Sequence, residues 1–179
     1  MGYSTLDAAY IIDIDGGGSF KFQFIPASIT DTKSNSPVYY SILGRSSPLS
    51  GYATGTPRSL SFTVVMFADP TADGPKLSTA EIKKRKDWLL SLPYPDYGGG
   101  LKPPHRCFIN IGDDIKFVGQ CTTASAIYQG KPWDLGPGLP HGVEVSLTFE
   151  ECLNVPVDLN DRRSGSPGDG YDQGFGQQP

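Results

Sequence analysis

The chain is poor in charged residues and has no excess of positive charge. Asp, Glu, Lys and Arg make up 19% of its 179 residues, whereas soluble domains average about 25%. There are 15 basic and 19 acidic residues, which gives a net charge of −4. The basic residues are scattered apart from the run Lys83–Lys86. Electrostatic binding to nucleic acid or to an anionic lipid surface is therefore not expected.

Long apolar runs are also missing. The longest, Val64–Ala68, has five residues, and a helix that spans a bilayer needs about 20. The first residues, Met1–Asp7, lack the basic region and the apolar core of a signal peptide. Leu6 stands where N-myristoylation requires Ser or Thr. We therefore expect a soluble protein with no membrane partner.

Cysteine is scarce and unpaired in the sequence. Cys107, Cys121 and Cys152 are widely spaced, and none of them forms a Cys-x-x-Cys motif. An odd number of separated cysteines is typical of buried thiols in a protein that is assembled in a reducing cytosol. All three fall in predicted strands, so the sequence leaves open whether two of them form a disulfide.

Glycine and proline, by contrast, are abundant. The chain has 22 Gly and 16 Pro, together 38 of 179 residues, or about 21% against an average of roughly 12%. Residues 1–152 hold 17 Gly and 13 Pro, and residues 153–179 hold five and three. We predict one turn-rich β domain at 1–152 and a Gly/Pro-rich C-terminal arm at 153–179, which is too poor in large apolar residues to form a core.

Alternating apolar and polar residues predict half-buried strands. The alternation is strict in Phe20–Phe24, Leu60–Val64 and Val143–Phe149. Less regular strands are predicted at residues 9–14, 38–43, 107–111, 115–121 and 124–129. Residues 112–114 join two of these strands as a hairpin, and Asp13–Gly18 predicts a tight turn between two strands.

One helix is predicted after residue 77. Ser78 and Glu81 have the spacing of a capping box, and Pro93 ends the helix. An apolar stripe follows the helical period and consists of Ile82, Arg85, Leu89 and Leu92, with Trp88 beside it. The opposite face is basic, which fits either solvent exposure or docking of an acidic neighbour. Three connecting loops are long enough to contact partners, at residues 44–58, 93–104 and 130–142.

Motifs that would carry chemistry are incomplete. Asp13–Gly18 resembles the start of a calcium loop but lacks its later ligands. His105 and Cys107 would share a strand face, yet no third group orients the imidazole. His141 has no second metal ligand at local spacing. We therefore predict no catalytic, cofactor or metal site.

The exposed carboxylates and Trp133 leave one alternative function open. Exposed carboxylates could serve a cell-wall hydrolase if two of them faced each other across a cleft, and Trp133 could serve a carbohydrate-binding module. Solvent exposure explains the carboxylates more simply, and loop anchoring explains Trp133. The carboxylates concerned are Asp96, Asp113, Asp114, Glu144, Glu150 and Glu151.

Five short segments, in order along residues 10–152, together carry a resemblance. Phe22–Ile29 is similar to the opening strand F-x-F-N-P-x-x-I, with Ile25 in place of Asn. Gly44–Tyr52 is similar to the loop G-R-S-x-P-x-x-x-Y, and Arg58–Phe62 to the strand x-x-L-S-F. Lys102–Ile109 resembles x-P-P-x-x-x-F, and Val143–Glu151 resembles the final strand. The chain thus resembles the tube-like domain of baseplate proteins in contractile bacteriophage tails, without a following LysM module.

The resemblance implies a fold and a role. The fold would be a mainly β, antiparallel barrel or sandwich with one outer helix. Copies would form a closed ring at the junction of tail tube and central hub, with six copies expected and three as the alternative. DNA would pass through the ring, and the partners would be the tail tube protein and the hub, spike and wedge proteins. The protein would be assembled in the bacterial cytoplasm, reside in the virion, and catalyse no reaction.

Subunit contacts are expected in the long loops and in the C-terminal arm, because a ring subunit meets its neighbours through exposed loops and strand edges. Aromatic, arginine and loop residues in these segments are the candidates. They are Arg45, Ser46, Pro48, Tyr52, Arg58, Tyr94, Tyr97, Trp133, Tyr171 and Phe175.

Overall fold

The computed structural model describes residues 9–68, 77–97, 100–112, 114–128 and 141–152. These ranges contain nine strands and one helix. In chain order they are β1 Ala9–Asp13, β2 Ser19–Lys21, β3 Ile29–Thr32, β4 Asn35–Tyr40, β5 Leu49–Gly55, β6 Ser59–Phe67, α1 Thr79–Ser91, β7 Arg106–Ile111, β8 Ile115–Ile127 and β9 Gly142–Glu151. Every strand pairing is antiparallel. The prediction of a mainly β, antiparallel fold with one helix is confirmed.

Seven of the strands form one sheet, in the order β2-β1-β7-β8-β9-β6-β3. The remaining two, β4 and β5, pair only with each other among the described residues. The strands of the large sheet do not close into a hydrogen-bonded barrel, since β2 and β3 are its edges. Of the two architectures expected, the structure therefore lacks the closed barrel in its described part.

The central strands follow the alternation in the sequence. Along β6 the buried residues are every second one, and β9 does the same in register, so that Phe62 lies opposite Leu147 and Val64 opposite Val145. β8 is longer than predicted because a bulge between Cys121 and Thr123 lets two predicted strands run on as one.

The helix prediction is confirmed in detail. The Ser78 hydroxyl accepts from the Glu81 amide, and the Glu81 carboxylate accepts from the Ser78 amide. Ile82 and Leu89 are fully buried in the core. Trp88 stacks on Phe20 of β2, with 6.1 Å between ring centroids. The helix therefore covers one face of the sheet.

The strand predicted at Phe20–Phe24 is wrong beyond Lys21. Phe22 and Gln23 are both buried, at 0% and 1% exposure, whereas a strand would expose one of the two. The chain leaves the strand because Phe22 packs on Phe62 of β6, at 5.8 Å between centroids, and Gln23 bonds the backbone of Phe67. The two ends of the sheet thus approach each other, and β3 begins only at Ile29.

Candidate functional site

The strands β4 and β5 prolong the pair β3–β6 out of the sheet. β3 and β6 pair from Ile29 opposite Phe62 to Thr32 opposite Ser59. After a short bend, β4 and β5 pair from Asn35 opposite Gly55 to Tyr40 opposite Leu49. We call residues 35–55 the projecting hairpin. The predicted loop at 44–58 is therefore wrong for residues 49–55, which form β5.

The bend at the root of the projecting hairpin is held by polar contacts. The Thr56 amide donates to the Ser34 carbonyl at 3.1 Å, and the two hydroxyls lie 2.8 Å apart. Arg58 donates to both carboxylate oxygens of Asp31, with its Nε at 2.6 Å from Oδ1. Its guanidinium also lies over the Phe117 ring, 5.4 Å from the centroid. A bidentate pair of this kind fixes the relative orientation of its two residues. The root of the projecting hairpin is therefore held in one orientation relative to the sheet.

The projecting hairpin exposes a large amount of apolar surface. All six residues of β4 are exposed, so apart from its pairing with β5 this strand packs on no other described element. Large apolar side chains concentrate here, with exposures from 36% to 105%: Val38, Tyr39, Tyr40, Ile42, Leu43 and Leu49. An isolated two-stranded hairpin is marginally stable in water, and contiguous exposed apolar patches mark interaction sites. The hairpin is therefore the strongest candidate for a partner surface.

Both faces of the hairpin are apolar. Val38, Tyr40 and Leu49 share one face by register, and Tyr39 lies on the other. The Tyr40 ring covers Gly51, where a Cβ atom would come within 3.1 Å of it. A hairpin with apolar groups on both sides is suited to lie between two surfaces rather than on one.

The structure gathers some of the predicted contact residues and separates others. Arg45, Ser46 and Pro48 lie in the turn between β4 and β5, and Tyr52 lies on β5 opposite Pro37. Tyr94 and Tyr97 follow the helix, and each is 73% exposed. Trp133, Tyr171 and Phe175 lie outside the described residues, as does the predicted arm at 153–179. Arg58 holds the root of the hairpin within its own chain.

Sequence reasoning missed the apolar residues of the hairpin. Residues 38–43 were predicted as an ordinary strand, although Val38, Tyr39 and Tyr40 are consecutive and Ile42 and Leu43 follow. Consecutive large apolar residues mean that both faces of a strand are apolar. That pattern was the available signal, and it fits a strand buried on both sides in an assembly.

A cleft on the body of the domain brings several polar side chains together. It encloses about 650 Å³ and is lined by Asp15, Asp96, Lys102, His105, Arg106, Gln120 and Cys152, among others. The turn between β1 and β2, predicted at Asp13–Gly18, is confirmed, with the Asp13 carboxylate accepting from the amides of Asp15 and Gly16. That turn supplies one wall of the cleft.

The charges in this cleft are paired with each other or, for His105, with the neighbouring Asp13. The Arg106 guanidinium donates to both oxygens of Asp15, at 2.7 and 3.1 Å, and lowers the pKa of that carboxyl to about 2. The hydrogen bond from His105 Nδ1 to Asp13, at 2.9 Å, raises the pKa of the imidazole. Lys102 and Asp96 form a longer pair at 3.5 Å. The pairs of His105 and Arg106 connect the turn between β1 and β2 to the start of β7.

Paired carboxylate chemistry is not supported by this geometry. A glycosidase acid needs a raised pKa, and the cleft carboxylate Asp15 has a strongly lowered one. Of the six carboxylates considered above, Asp96 lies in the cleft and Asp113 lies outside the described residues. Glu144, Glu150 and Glu151 lie on β9.

The His105–Cys107 pair is structural. Burial raises the pKa of the Cys107 thiol to about 12, and the imidazole bonds Asp13 rather than the sulfur. Within the described ranges, no cluster of three or more His, Cys, Asp or Glu side chains could hold a metal ion. The described part of the chain also contains no helix that is long and apolar enough to cross a membrane.

No protein-family model matches the chain, and no curated protein does. Several solved structures are similar to it. One is the Dit protein (gp 19.1) of phage SPP1, a paradigm of the hub adsorption apparatus in phages that infect Gram-positive bacteria. Its TM-score is 0.42 and its identity 15%, over 72% of this chain and 44% of that chain. The chain thus spans less than half the length of that protein.

Another is the tail of an empty GTA particle with C6 symmetry. Its TM-score is 0.41 and its identity 13%, over 82% of this chain and 91% of that chain.

Proposed function

We propose that the chain is a non-enzymatic structural subunit of a contractile phage tail baseplate. Copies form a closed ring at the junction of tail tube and central hub, through which DNA passes. The observation that carries this proposal is the projecting hairpin, whose apolar side chains are exposed on both faces. The sequence resemblance to baseplate tube-like domains supports the proposed location in the baseplate.

The hairpin supports self-assembly for an energetic reason. Each large apolar side chain that is moved from water into a contact contributes roughly 1.5–3 kcal/mol. None of the hairpin side chains that the structure describes belongs to the core, so the exposed surface of the hairpin stabilises the protein only when something covers it. A subunit that repeats around an axis provides such a covering surface in every copy.

The proposed contacts involve residues from separate parts of the chain. Arg45, Ser46, Pro48 and Tyr52 meet a neighbour through the hairpin, and Tyr94 and Tyr97 through the loop after α1. The ring contains six copies, with three as the alternative. Its other partners are the tail tube, hub, spike and wedge proteins, and DNA only in transit.

The paired charges of the cleft support a role without catalysis. Asp15 is held ionised by Arg106, and Lys102 pairs with Asp96. Side chains in such pairs position loops and are poor proton donors. The proposed ring needs no cofactor. It is assembled in the bacterial cytoplasm and works in the virion.

The first experiment tests self-assembly by the hairpin. The full chain is followed over a concentration series by mass photometry and negative-stain microscopy, beside Leu43→Asp and the control Ile25→Asp. Ile25 is exposed to 52% in the segment between β2 and β3. We expect rings from the wild-type chain and the control, and monomers from Leu43→Asp with an unchanged melting temperature. Equal assembly by all three proteins would contradict the role of the hairpin.

A second experiment tests the setting and the alternative function. Symmetry-resolved imaging of an intact tail that contains the chain should show density for it around the axis. Density away from the axis would refute the proposed location at the junction of tail tube and hub. Zymography on peptidoglycan and a sugar-binding screen should be negative for the isolated chain. Hydrolysis of peptidoglycan would refute the absence of catalysis.

A further inference from the structure

A second apolar surface lies at the far end of β6. Phe67 and Ile127 are exposed to 44% and 52% on the sheet face opposite α1. The Phe67 ring lies across Gly142 of β9, where a Cβ atom would come within 2.5 Å of the ring. Glu144 lies between Val65 and Ile127 in register. We call Val65, Phe67, Ile127 and Glu144 the far-end patch.

The far-end patch and the projecting hairpin lie at opposite ends of one strand. The hairpin is rooted at Ser59, and the patch is centred on Phe67. Eight residue steps of strand separate them by about 26 Å. Every residue of β4 is exposed, so the hairpin does not fold back over its own sheet. A hairpin that covers a far-end patch must therefore belong to another copy.

The two surfaces are complementary in charge as well as in apolarity. The hairpin tip carries Ile42 and Leu43, exposed to 47% and 105%, and next to them Arg45. The far-end patch carries one carboxylate, Glu144, among apolar groups. Neither Arg45 nor Glu144 forms an ion pair with a residue that the structure describes. The hairpin tip thus carries a positive charge and the far-end patch a negative one.

We propose that the hairpin tip of one copy docks on the far-end patch of the next copy. Leu43 packs against Phe67 and Ile127, and Arg45 pairs with Glu144. This inference rests on the proposed self-assembly and names its two contacting surfaces. Because the surfaces differ, each contact adds one more copy in the same direction, and the chain of copies closes into a ring when the rotation allows it.

A disulfide ladder tests this head-to-tail contact. Leu43→Cys and Ile127→Cys are combined in a Cys152→Ser background, because Cys107 and Cys121 are buried. Mild oxidation of the full chain should give dimers, trimers and higher bands that end at the copy number of the ring. The control pairs Leu43→Cys with Lys83→Cys, on the solvent face of α1, and should stay monomeric under denaturing conditions. A single dimer band would mean a two-fold contact and would refute the proposal.

Charge reversal tests the ion pair separately. Arg45→Glu and Glu144→Arg should each raise the concentration needed for assembly roughly tenfold or more, since a charge at a contact loses its partner. The double variant should restore assembly. Rings in the wild type with no ladder and no effect of reversal would overturn the inference and leave the proposed function standing. A wild-type chain that stays monomeric at every concentration and gives no ladder would overturn both.

Discussion

The side-chain amide of Gln23 bonds both backbone groups of Phe67. Its Nε2 donates to the Phe67 carbonyl at 2.9 Å, and its Oε1 accepts from the Phe67 amide at 2.8 Å. Both groups of Phe67 point away from β9, since the next amide, that of Ala68, is the one that bonds His141. The Gln23 side chain thus bonds β6 in the way that the backbone of a neighbouring strand would. It connects the segment after β2 to β6.

Gln23→Ala should destabilise the domain strongly. Gln23 is 1% exposed, and its removal would leave two backbone groups without these bonds, at a cost of about 1–3 kcal/mol each. The measurement is the free energy of unfolding in urea. Gln120→Ala is the control, because the Gln120 side chain is half-buried and donates one bond, to Pro104. Equal losses in the two variants would contradict the special role of Gln23.

Asp13→Asn should lower the pKa of His105. The hydrogen bond to Asp13 raises that pKa, while Asn keeps the oxygen that accepts from the amides of the turn. NMR titration of both proteins measures the change. An unchanged His105 titration would show that the Asp13 charge is not the cause.

The same pair sets a pH dependence of stability. The pKa of His105 is raised on folding, so its contribution is complete below its unfolded value, about 6.5, and is lost as the pH rises through the folded value. Asp15 behaves oppositely, because its pKa falls to about 2 and its contribution is lost only as the pH falls toward that value. We expect the melting temperature of the wild type to fall between pH 6 and 8 more than that of Asp13→Asn. Parallel profiles would contradict this.

Cys152 should be the cysteine that reacts in the native protein. Burial raises the pKa of Cys107 to about 12 and that of Cys121 to about 11, and the thiolate is the reactive form. Cys152 is only partly buried. A thiol reagent should therefore label one cysteine in the folded chain and three in urea, and Cys152→Ser should remove the native reaction. Fast labelling of that variant would contradict the buried state of the other two.

Gly119→Ala should destabilise the sheet. A Cβ atom at Gly119 would lie 2.3 Å from the Glu150 carbonyl oxygen and 2.5 Å from the Phe117 ring, and the backbone of β9 cannot move away without breaking its pairing. Overpacking of this kind costs about 1–3 kcal/mol, measured by thermal and urea unfolding. The exposed Gly17 has open space around it. Its positive φ of 75° makes Gly17→Ala a control for backbone strain without a clash.

The sequence predicted those parts of the fold that local patterns determine. The capping box of α1 and the alternation in β6 and β9 depend on neighbouring residues, so Ser78, Glu81 and Val143–Phe149 could be assigned directly. Gln23 could not, because its partner Phe67 is distant in the chain and reaches it only once the sheet curves. The candidate contact surface was found in part, since the tip residues Arg45 and Pro48 were named but the apolar strand beside them was not.

The continuity of the hairpin with β6 has a mechanical consequence. A pull on a docked hairpin enters the body through β3 and β6, and β6 is paired with β9 over nine residues. The bonds of an antiparallel pair run across the strands, so a load along β6 shears all of them together instead of opening them one by one. A junction that is loaded in this way resists force far better than one whose edge bonds open one at a time.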